Sequence, residues 1–327
     1  MSATLPPENT APATPLQLFE DSFSILALSL MTALPVIEMV ARQFRWSGIP
    51  GSAVIVQQLT LWIGMLGGML ASRSGRLLGL SSSTFLPESW LAPAKIFWSA
   101  ALAAVSTCLA YASWVFVQSE RESGSYLLPG LPKWTALAIM LVGFAVIALR
   151  AVWNASDLWY GRAIAALGLF IPALFGYAIP TRLPGILPLS FALLALATFV
   201  GLPIFAVFGG LALLLFWSSG TPVASVPVEM YRLVASPLLP SIPLFTLAGY
   251  FMVQGGATKR LLRVFTALFS WIPGGLAIAT VAICTVFTFA GSGLTILSLG
   301  GLLVPMLIKT RYPENFSMGL LTSSGSL

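Results

Sequence analysis

The longest uncharged intervals of the sequence constrain its fold more than any other feature. No Asp, Glu, Lys or Arg occurs between Arg182 and Glu229, or between Arg263 and Lys309. Apolar stretches of more than about 18 residues are typical of membrane-spanning helices, because a helix in lipid satisfies its backbone hydrogen bonds internally. With 57% hydrophobic and only 8% charged residues, the chain is predicted to be an all-α, polytopic helical membrane protein.

Several function classes are excluded by the residues that the chain lacks. The sequence contains no histidine, which excludes His-based catalytic triads and zinc sites with His ligands. Its 16 Lys and Arg residues are scattered along the chain, so the net charge of +6 does not indicate a nucleic-acid partner. Cys108 and Cys284 lie in apolar segments and are interpreted as small buried residues. We therefore expect no enzyme, no bound cofactor and no nucleic acid.

Charged residues mark the ends of the expected membrane spans. Five helices are predicted within 23–40, 45–73, 95–120, 133–153 and 162–182. The interval 183–228 holds 46 uncharged residues, too many for one crossing. Gly201-Leu202-Pro203 near its middle interrupts a helix, which predicts two segments, 187–200 and 204–217. With a further segment at 241–253, the chain is expected to have about eight transmembrane helices.

The orientation of the chain follows from this number of crossings. The positive-inside rule alone is tied, because two topologies divide the Lys and Arg residues equally well. Two crossings within 183–228 place the N-terminus in the cytoplasm. The segment 257–271 has a basic start and apolar residues at helical spacing, which indicates a helix at the membrane surface or an extension of a spanning helix.

The segment 274–308 has the pattern of a re-entrant helical hairpin. Two apolar arms of about 13–15 residues are too short to cross the hydrocarbon core, and Ala290-Gly291-Ser292-Gly293-Leu294-Thr295 lies between them. Broken helices in membranes direct free carbonyls at cations, and the hydroxyls of Ser292 and Thr295 are further suitable ligands for Na⁺. The alternative is a helix-packing face of small residues, formed by Gly291, Gly293, Gly300 and Gly301.

Several collinear segments resemble the membrane subunits of tripartite ATP-independent periplasmic (TRAP) transporters. FTFAGSGLTILSLGGLLVPMLIKTRYPENFSMGLLTSSGSL (287–327) resembles the first hairpin region of the large subunit. GLPIFAVFGGLALLLF (201–216), PSIPLFTLAGYFMVQGGATKRLLRVF (240–265) and WIPGGLAIATVAI (271–283) fit that subunit in the same order. QQLTLWIGMLGGMLASRSGRLLGL (57–80) resembles the small subunit.

The resemblance implies a function and a site. It implies a permease of the bacterial inner membrane that takes up organic acids, such as C4-dicarboxylates, by symport with sodium. Substrate would arrive on a periplasmic substrate-binding protein. The positions expected near the sodium ion are Gly291, Ser292, Gly293 and Thr295.

The resemblance also implies a division of the chain. The expected parts are a disordered tail (1–17), a small-subunit-like four-helix domain (18–158), a linking helix (159–183) and the first part of the large subunit (184–327). The large subunit is normally an inverted repeat with two hairpins, and only the first, at about 274–308, is expected here. The chain is therefore interpreted as truncated, inactive alone, and dependent on the missing remainder of the large subunit. The alternatives are a membrane scaffold protein and the permease of an ATP-driven importer.

Overall fold

The computed structural model describes residues 15–44, 49–80, 87–156, 158–171, 186–236, 239, 241–269, 271–287 and 292–325. These residues form thirteen α-helices, a short β-hairpin and a 3₁₀ turn at Gly168–Phe170. The helices are α1 (Pro15–Gln43), α2 (Ser52–Arg73), α3 (Glu88–Ser123), α4 (Lys133–Trp153), α5 (Trp159–Leu167), α6 (Ile186–Val200), α7 (Ile204–Ser218), α8 (Ser225–Val234), α9 (Ser241–Gln254), α10 (Ala257–Phe269), α11 (Gly275–Phe287), α12 (Ser292–Lys309) and α13 (Glu314–Ser324). The hairpin joins β1 (Tyr126–Leu128) to β2 (Leu131–Pro132).

The helices form two compact units, one up to Ser236 and one from Pro237 onwards. In the first unit, α1 to α4 are each long and apolar enough to cross a membrane. Several shorter apolar helices follow, including α6, α7 and α11. The prediction of an all-α polytopic membrane protein is therefore confirmed.

The first unit is built around the long helix α3. Its 36 residues extend about 54 Å at 1.5 Å per residue, well beyond a hydrocarbon core of about 30 Å. Facing it, α4 presents residues at i, i+3, i+4 spacing, and all of them are buried. These residues are Leu137, Met140, Phe144, Ile147 and Ala151. The helical period of the sequence therefore places these residues in two core clusters, each of which also contains buried residues of α3.

The predicted interruption at Gly201-Leu202-Pro203 is confirmed. Helix α6 ends at Val200 and α7 begins at Ile204, and Gly201 has a φ of 118°, a conformation that side chains disfavour. The break is held by the loop that follows α2, where Gly79 forms an isolated antiparallel bridge with Pro203. The amide of Ile204 donates to the carbonyl of Leu78 over 2.8 Å.

Replacing Gly79 by alanine is expected to destabilise the first unit by about 1–3 kcal/mol, the usual cost of forcing a methyl group into packed surroundings. The new Cβ would lie 2.8 Å from the carbonyl oxygen of Gly201, a backbone atom. The matched control is Gly67→Ala, because a Cβ at Gly67 meets no heavy atom within 4 Å. Thermal unfolding of the purified variants in detergent measures both, and equal midpoints would contradict a tight contact at Gly79.

One helix in the first unit was not predicted. The sequence predicts a non-membrane stretch with several prolines at 218–240, and within it α8 occupies Ser225–Val234 and buries Val226 and Pro227. The Nε2 of Gln58 donates to the hydroxyl of Tyr231 over 2.6 Å. This helix is short and amphipathic, so its stability depends on contacts with α2 and α3 that no local pattern reveals.

Two other predicted segments lie only partly within the described residues. Helix α1 begins at Pro15, so residues 15–17 of the expected tail are helical, and residues 1–14 lie outside the described residues. The fifth predicted crossing, 162–182, starts within α5 and the 3₁₀ turn that ends at Phe170. Residues 172–185 lie outside the described residues, so this crossing stays a prediction.

The second unit contains α9 to α13. Helix α10 covers most of the predicted amphipathic segment 257–271. Its Leu261 and Phe265 contact a buried cluster on α11 and α12, while Arg260 and Arg263 are exposed. A helix with one apolar face and one basic face is typical of a membrane interface.

Candidate functional site

The predicted hairpin corresponds to two separate helices. Helix α11 ends at Phe287 and α12 begins at Ser292. At 1.5 Å per residue, α11 is about 20 Å long and α12 about 27 Å, so both are shorter than a typical hydrocarbon core of about 30 Å. A single straight helix over 275–308 is therefore excluded.

The two helices lie side by side around one apolar cluster. On α11, Ile283 and Phe287 are buried on one face, and on α12 Leu299 and Leu303 are buried at a spacing of four. These side chains are at most 1% exposed. Ile283 and Leu303 would be about 30 Å apart along one continuous helix, so their membership of one cluster requires the chain to fold back between α11 and α12.

Helix α13 closes the cluster from a third side. Its Leu321 is buried in the same cluster, and a Cβ at Gly300 would lie 3.0 Å from the Cδ2 of Leu321. Gly300 therefore allows α12 and α13 to pack closely. This is the helix-packing role that the sequence offers for these glycines as the alternative to an ion site. A Cβ at Gly301, by contrast, would meet no heavy atom within 4 Å.

Buried hydroxyl and thiol groups line the contact between α11 and α13. Thr280, Ser317 and Ser324 are each at most 2% exposed, and each donates to a carbonyl of its own helix. Cys284, which is fully buried, forms a side-chain hydrogen bond with Ser324. The interpretation of Cys284 as a small buried residue is confirmed. Polar groups paired in this way can pack inside lipid without a desolvation cost.

Three of the four predicted site residues lie in α12, and the fourth lies outside the described residues. Gly291 lies outside the described residues. Ser292, Gly293 and Thr295 lie in the first turn of α12, so Ser292 and Gly293 belong to the helix instead of the predicted reversal. Their side chains also lie outside the described part of the chain, and their role at a sodium site stays a prediction.

The C-terminus of α11 and the N-terminus of α12 are close together in the sequence. The C-terminus of α11 leaves its last carbonyls without intrahelical partners, and the N-terminus of α12 leaves its first amides free. Carbonyl oxygens favour a cation, and free amides favour an anion. The arrangement therefore offers ligands of both signs within a few residues of each other.

Acidic or sulfur ligands do not assemble a metal site in the described residues. No group of three or more Cys, Asp or Glu side chains is close enough there to hold a metal ion. A monovalent cation at the hairpin would therefore depend on carbonyl and hydroxyl oxygens.

The first unit contains a charged cluster that the sequence did not reveal. Glu20, only 6% exposed, pairs with Arg150 on α4 over 2.5 Å and with Arg73 at the end of α2 over 3.3 Å. Arg73 also pairs with Asp21 over 2.7 Å. Arg150 donates in addition to the carbonyl of Met69 over 2.7 Å. Arg150 lies in the last turn of α4, and Glu20 gives it an acidic partner inside the unit.

At the opposite end of α1, Glu38 and Arg42 form an i, i+4 ion pair. Glu38 also accepts a hydrogen bond from the hydroxyl of Ser52, which links the end of α1 to the start of α2. Similarly, Lys133 at the start of α4 pairs with Glu120 near the end of α3 over 2.9 Å. Consecutive helices therefore run antiparallel, as the predicted alternation of crossings requires.

Comparison with known proteins identifies two regions of the chain. Residues 31–161 match the family described as tripartite ATP-independent periplasmic transporters, DctQ component. Residues 189–327 match tripartite ATP-independent periplasmic transporter, DctM component. Both components are thus present in order on one chain, and the second match includes the α11–α12 pair.

Curated relatives show the same relationship. The chain is 29% identical over 205 residues to the isethionate TRAP transporter permease protein DctMQ of Oleidesulfovibrio alaskensis, which is 60% of this chain and 32% of that protein. It is 37% identical over 133 residues to the C4-dicarboxylate TRAP transporter large permease protein DctM of Vibrio cholerae, covering 39% of this chain and 29% of the relative. It is 30% identical over 148 residues to the ectoine TRAP transporter large permease protein TeaC of Halomonas elongata, or 44% and 32%.

The chain spans about a third of the length of each of these relatives. The two family matches cover most of its own length and agree with its apolar helices. Proteins of this family are transporters of the inner membrane and not enzymes. This confirms the predicted location in the inner membrane and the prediction that the chain is not an enzyme. The chain belongs to the membrane permeases of the tripartite ATP-independent periplasmic transporter family, with sequence of the small and the large component fused in one polypeptide.

Proposed function

We propose that the chain is the permease component of a sodium-coupled secondary transporter that receives organic acids, C4-dicarboxylates or related carboxylates, from a periplasmic substrate-binding protein. The observation that carries this proposal is the presence of both permease components, in order, on one chain. The names of the relatives include a C4-dicarboxylate and isethionate, which are organic anions.

The α11–α12 pair supports the proposed coupling to sodium. The C-terminus of α11 and the N-terminus of α12 are close in the sequence, and broken helices form the ion and substrate sites of other secondary transporters. The proposed ligands are backbone carbonyls at the end of α11 with the hydroxyls of Ser292 and Thr295. Gly291 and Gly293 would allow the backbone to approach the ion closely.

Transport is proposed to require further parts. In transporters built from inverted repeats, substrate binds where the two repeats meet. We propose that a second hairpin of the large subunit, on the same or on another polypeptide, completes the site. The soluble binding protein is the other proposed partner.

Uptake measurements test this function. Cells that express the gene in its genomic context, with the binding protein, are expected to accumulate labelled succinate only when sodium is present. Deleting the binding-protein gene should abolish uptake. Sodium-independent uptake would contradict coupling, and no uptake of any organic acid would favour the scaffold alternative. Loss of uptake on ATP depletion, with the ion gradients maintained, would favour an ATP-driven importer.

Removing one hydroxyl ligand is expected to raise the sodium concentration that gives half-maximal uptake by about tenfold, the effect of losing one charge-assisted contact. The variants are Ser292→Ala and Thr295→Val. The control is Thr246→Val on α9. It removes a hydroxyl that donates to the carbonyl of Ile242 in the same helix. If sodium dependence is unchanged in both variants, the proposed side-chain ligands are wrong, whereas the uptake function itself would stand.

A further inference from the structure

A basic cavity in the first unit has no role in the function proposed above. Its volume is about 550 Å³, and it lies where the ends of α2 and α4 meet the start of α5 and the first turns of α3. Four cationic side chains line it, together with small polar side chains and two indole rings, and no carboxylate of the described residues does so. The cations are Arg73, Lys95, Arg150 and Arg162.

Two of these cations form ion pairs with carboxylates that lie outside the cavity. Arg73 and Arg150 pair with Glu20 and Asp21, which do not line the cavity. These pairs hold the two guanidinium groups in place. Their side chains are nevertheless 28% and 19% exposed, so they still face an open space.

The other two cations have no carboxylate partner among the described residues. Lys95 is exposed at the cavity. Arg162 is oriented by two contacts, a 2.8 Å hydrogen bond from its Nε to the carbonyl of Ser156 and a stacking contact 4.7 Å above the ring of Trp153. Asp157 lies outside the described residues. The cavity therefore carries an excess of positive charge, and contacts hold three of its four cationic side chains in place.

The position of the cavity in the helices indicates at which depth in the membrane its ligand would lie. Arg73 is the last residue of α2, and Arg150 lies in the last turn of α4. Helix ends of spanning segments lie at the level of the lipid headgroups, where tryptophan side chains also concentrate. Trp98 and Trp153 line the cavity, in agreement with that depth. In the predicted orientation, this end of the unit faces the cytoplasm.

We propose that this cavity binds an anionic phosphate group, supplied by a lipid headgroup or by free phosphate. Guanidinium groups match phosphate geometry through paired hydrogen bonds, and basic pockets between transmembrane helices on the cytoplasmic side bind anionic headgroups. The position of the cavity at headgroup level favours a lipid as the source, because the phosphate of a lipid lies at that depth.

Titration of the purified 327-residue chain in nonionic detergent tests the proposal. Native mass spectrometry would count bound phosphatidylglycerol, bound phosphatidylethanolamine and, in a separate arm, bound inorganic phosphate. We expect preferential binding of phosphatidylglycerol. Each of the variants Lys95→Gln and Arg162→Gln is expected to lower that affinity about fivefold, the usual effect of one basic residue at an anionic membrane surface.

The controls separate a built site from general attraction. Arg76→Gln removes one charge at the same end of the unit, but Arg76 is exposed and does not line the cavity. This variant should therefore bind phosphatidylglycerol with the same affinity as the parent chain. Lys95→Arg should retain binding, which shows that a loss in Lys95→Gln is not misfolding. Binding of phosphate alone, with the same variant pattern, would identify free phosphate as the source and support the site. Equal binding by all variants, or equal binding of both lipids, would overturn it.

Discussion

Replacing Glu20 by glutamine is expected to lower the free energy of unfolding by about 3–5 kcal/mol, the usual cost of removing one partner from a buried ion pair. Glu20 is only 6% exposed and neutralises two arginines from two other helices. Without its charge, Arg73 retains Asp21, which is 42% exposed. Arg150 retains only the carbonyl of Met69, so one cation loses its countercharge inside the unit.

Unfolding in mixed micelles of detergent and dodecyl sulfate measures this loss. The matched control is Glu229→Gln, which removes the partner of Arg232 in a pair whose side chains are 48% and 71% exposed. That change should stay within about 0.5 kcal/mol, since exposed ion pairs contribute little. A similarly small effect at Glu20 would show that water screens the cluster, and that helices α1, α2 and α4 do not depend on it.

Truncating Phe287 to alanine is expected to destabilise the α11–α12 pair by about 3–5 kcal/mol, the usual cost for a buried phenylalanine. Phe287 is 1% exposed and is the last residue of α11, where the cluster with Leu299 begins. Its loss leaves a cavity next to the connection between the two helices. The adjacent Cys284, which is fully buried, should then become accessible.

Thiol labelling measures the opening of the pair. In a Cys108→Ala background, Cys284 is expected to react slowly with a maleimide in the parent chain and at least about tenfold faster in Phe287→Ala, because reaction requires local opening. Val286→Ala serves as control, since Val286 is the neighbouring residue and is 40% exposed. Equally fast labelling of the parent chain would contradict the buried packing of α11 against α12.

The local features of the sequence were the ones that predicted structure correctly. The uncharged apolar intervals between charged residues predicted the four long helices. The Gly201-Leu202-Pro203 interruption predicted the two segments 187–200 and 204–217, which are observed as α6 and α7. In the candidate site, the change from apolar residues to Ala290-Gly291-Ser292 predicted two helices with a break, as observed. Each of these depends on the backbone preferences of a few adjacent residues.

Other features could not be predicted because they depend on distant residues. Helix α8 is short, and its Tyr231 is bonded to Gln58, 173 positions away in the sequence. The exact start of α12 was also missed. Helix ends vary by one or two residues with their capping contacts.

The sequence by itself determined the class of protein and the alternation of its helices, because lipid allows only segments that satisfy their own backbone hydrogen bonds. The tertiary structure decided which charges meet. Glu20 and Arg150 are 130 residues apart. Only the packing of the start of α1 against the ends of α2 and α4 brings them together and leaves the basic cavity beside them. Charge pairing depends on distance in space, and the order of residues along the chain does not specify that distance.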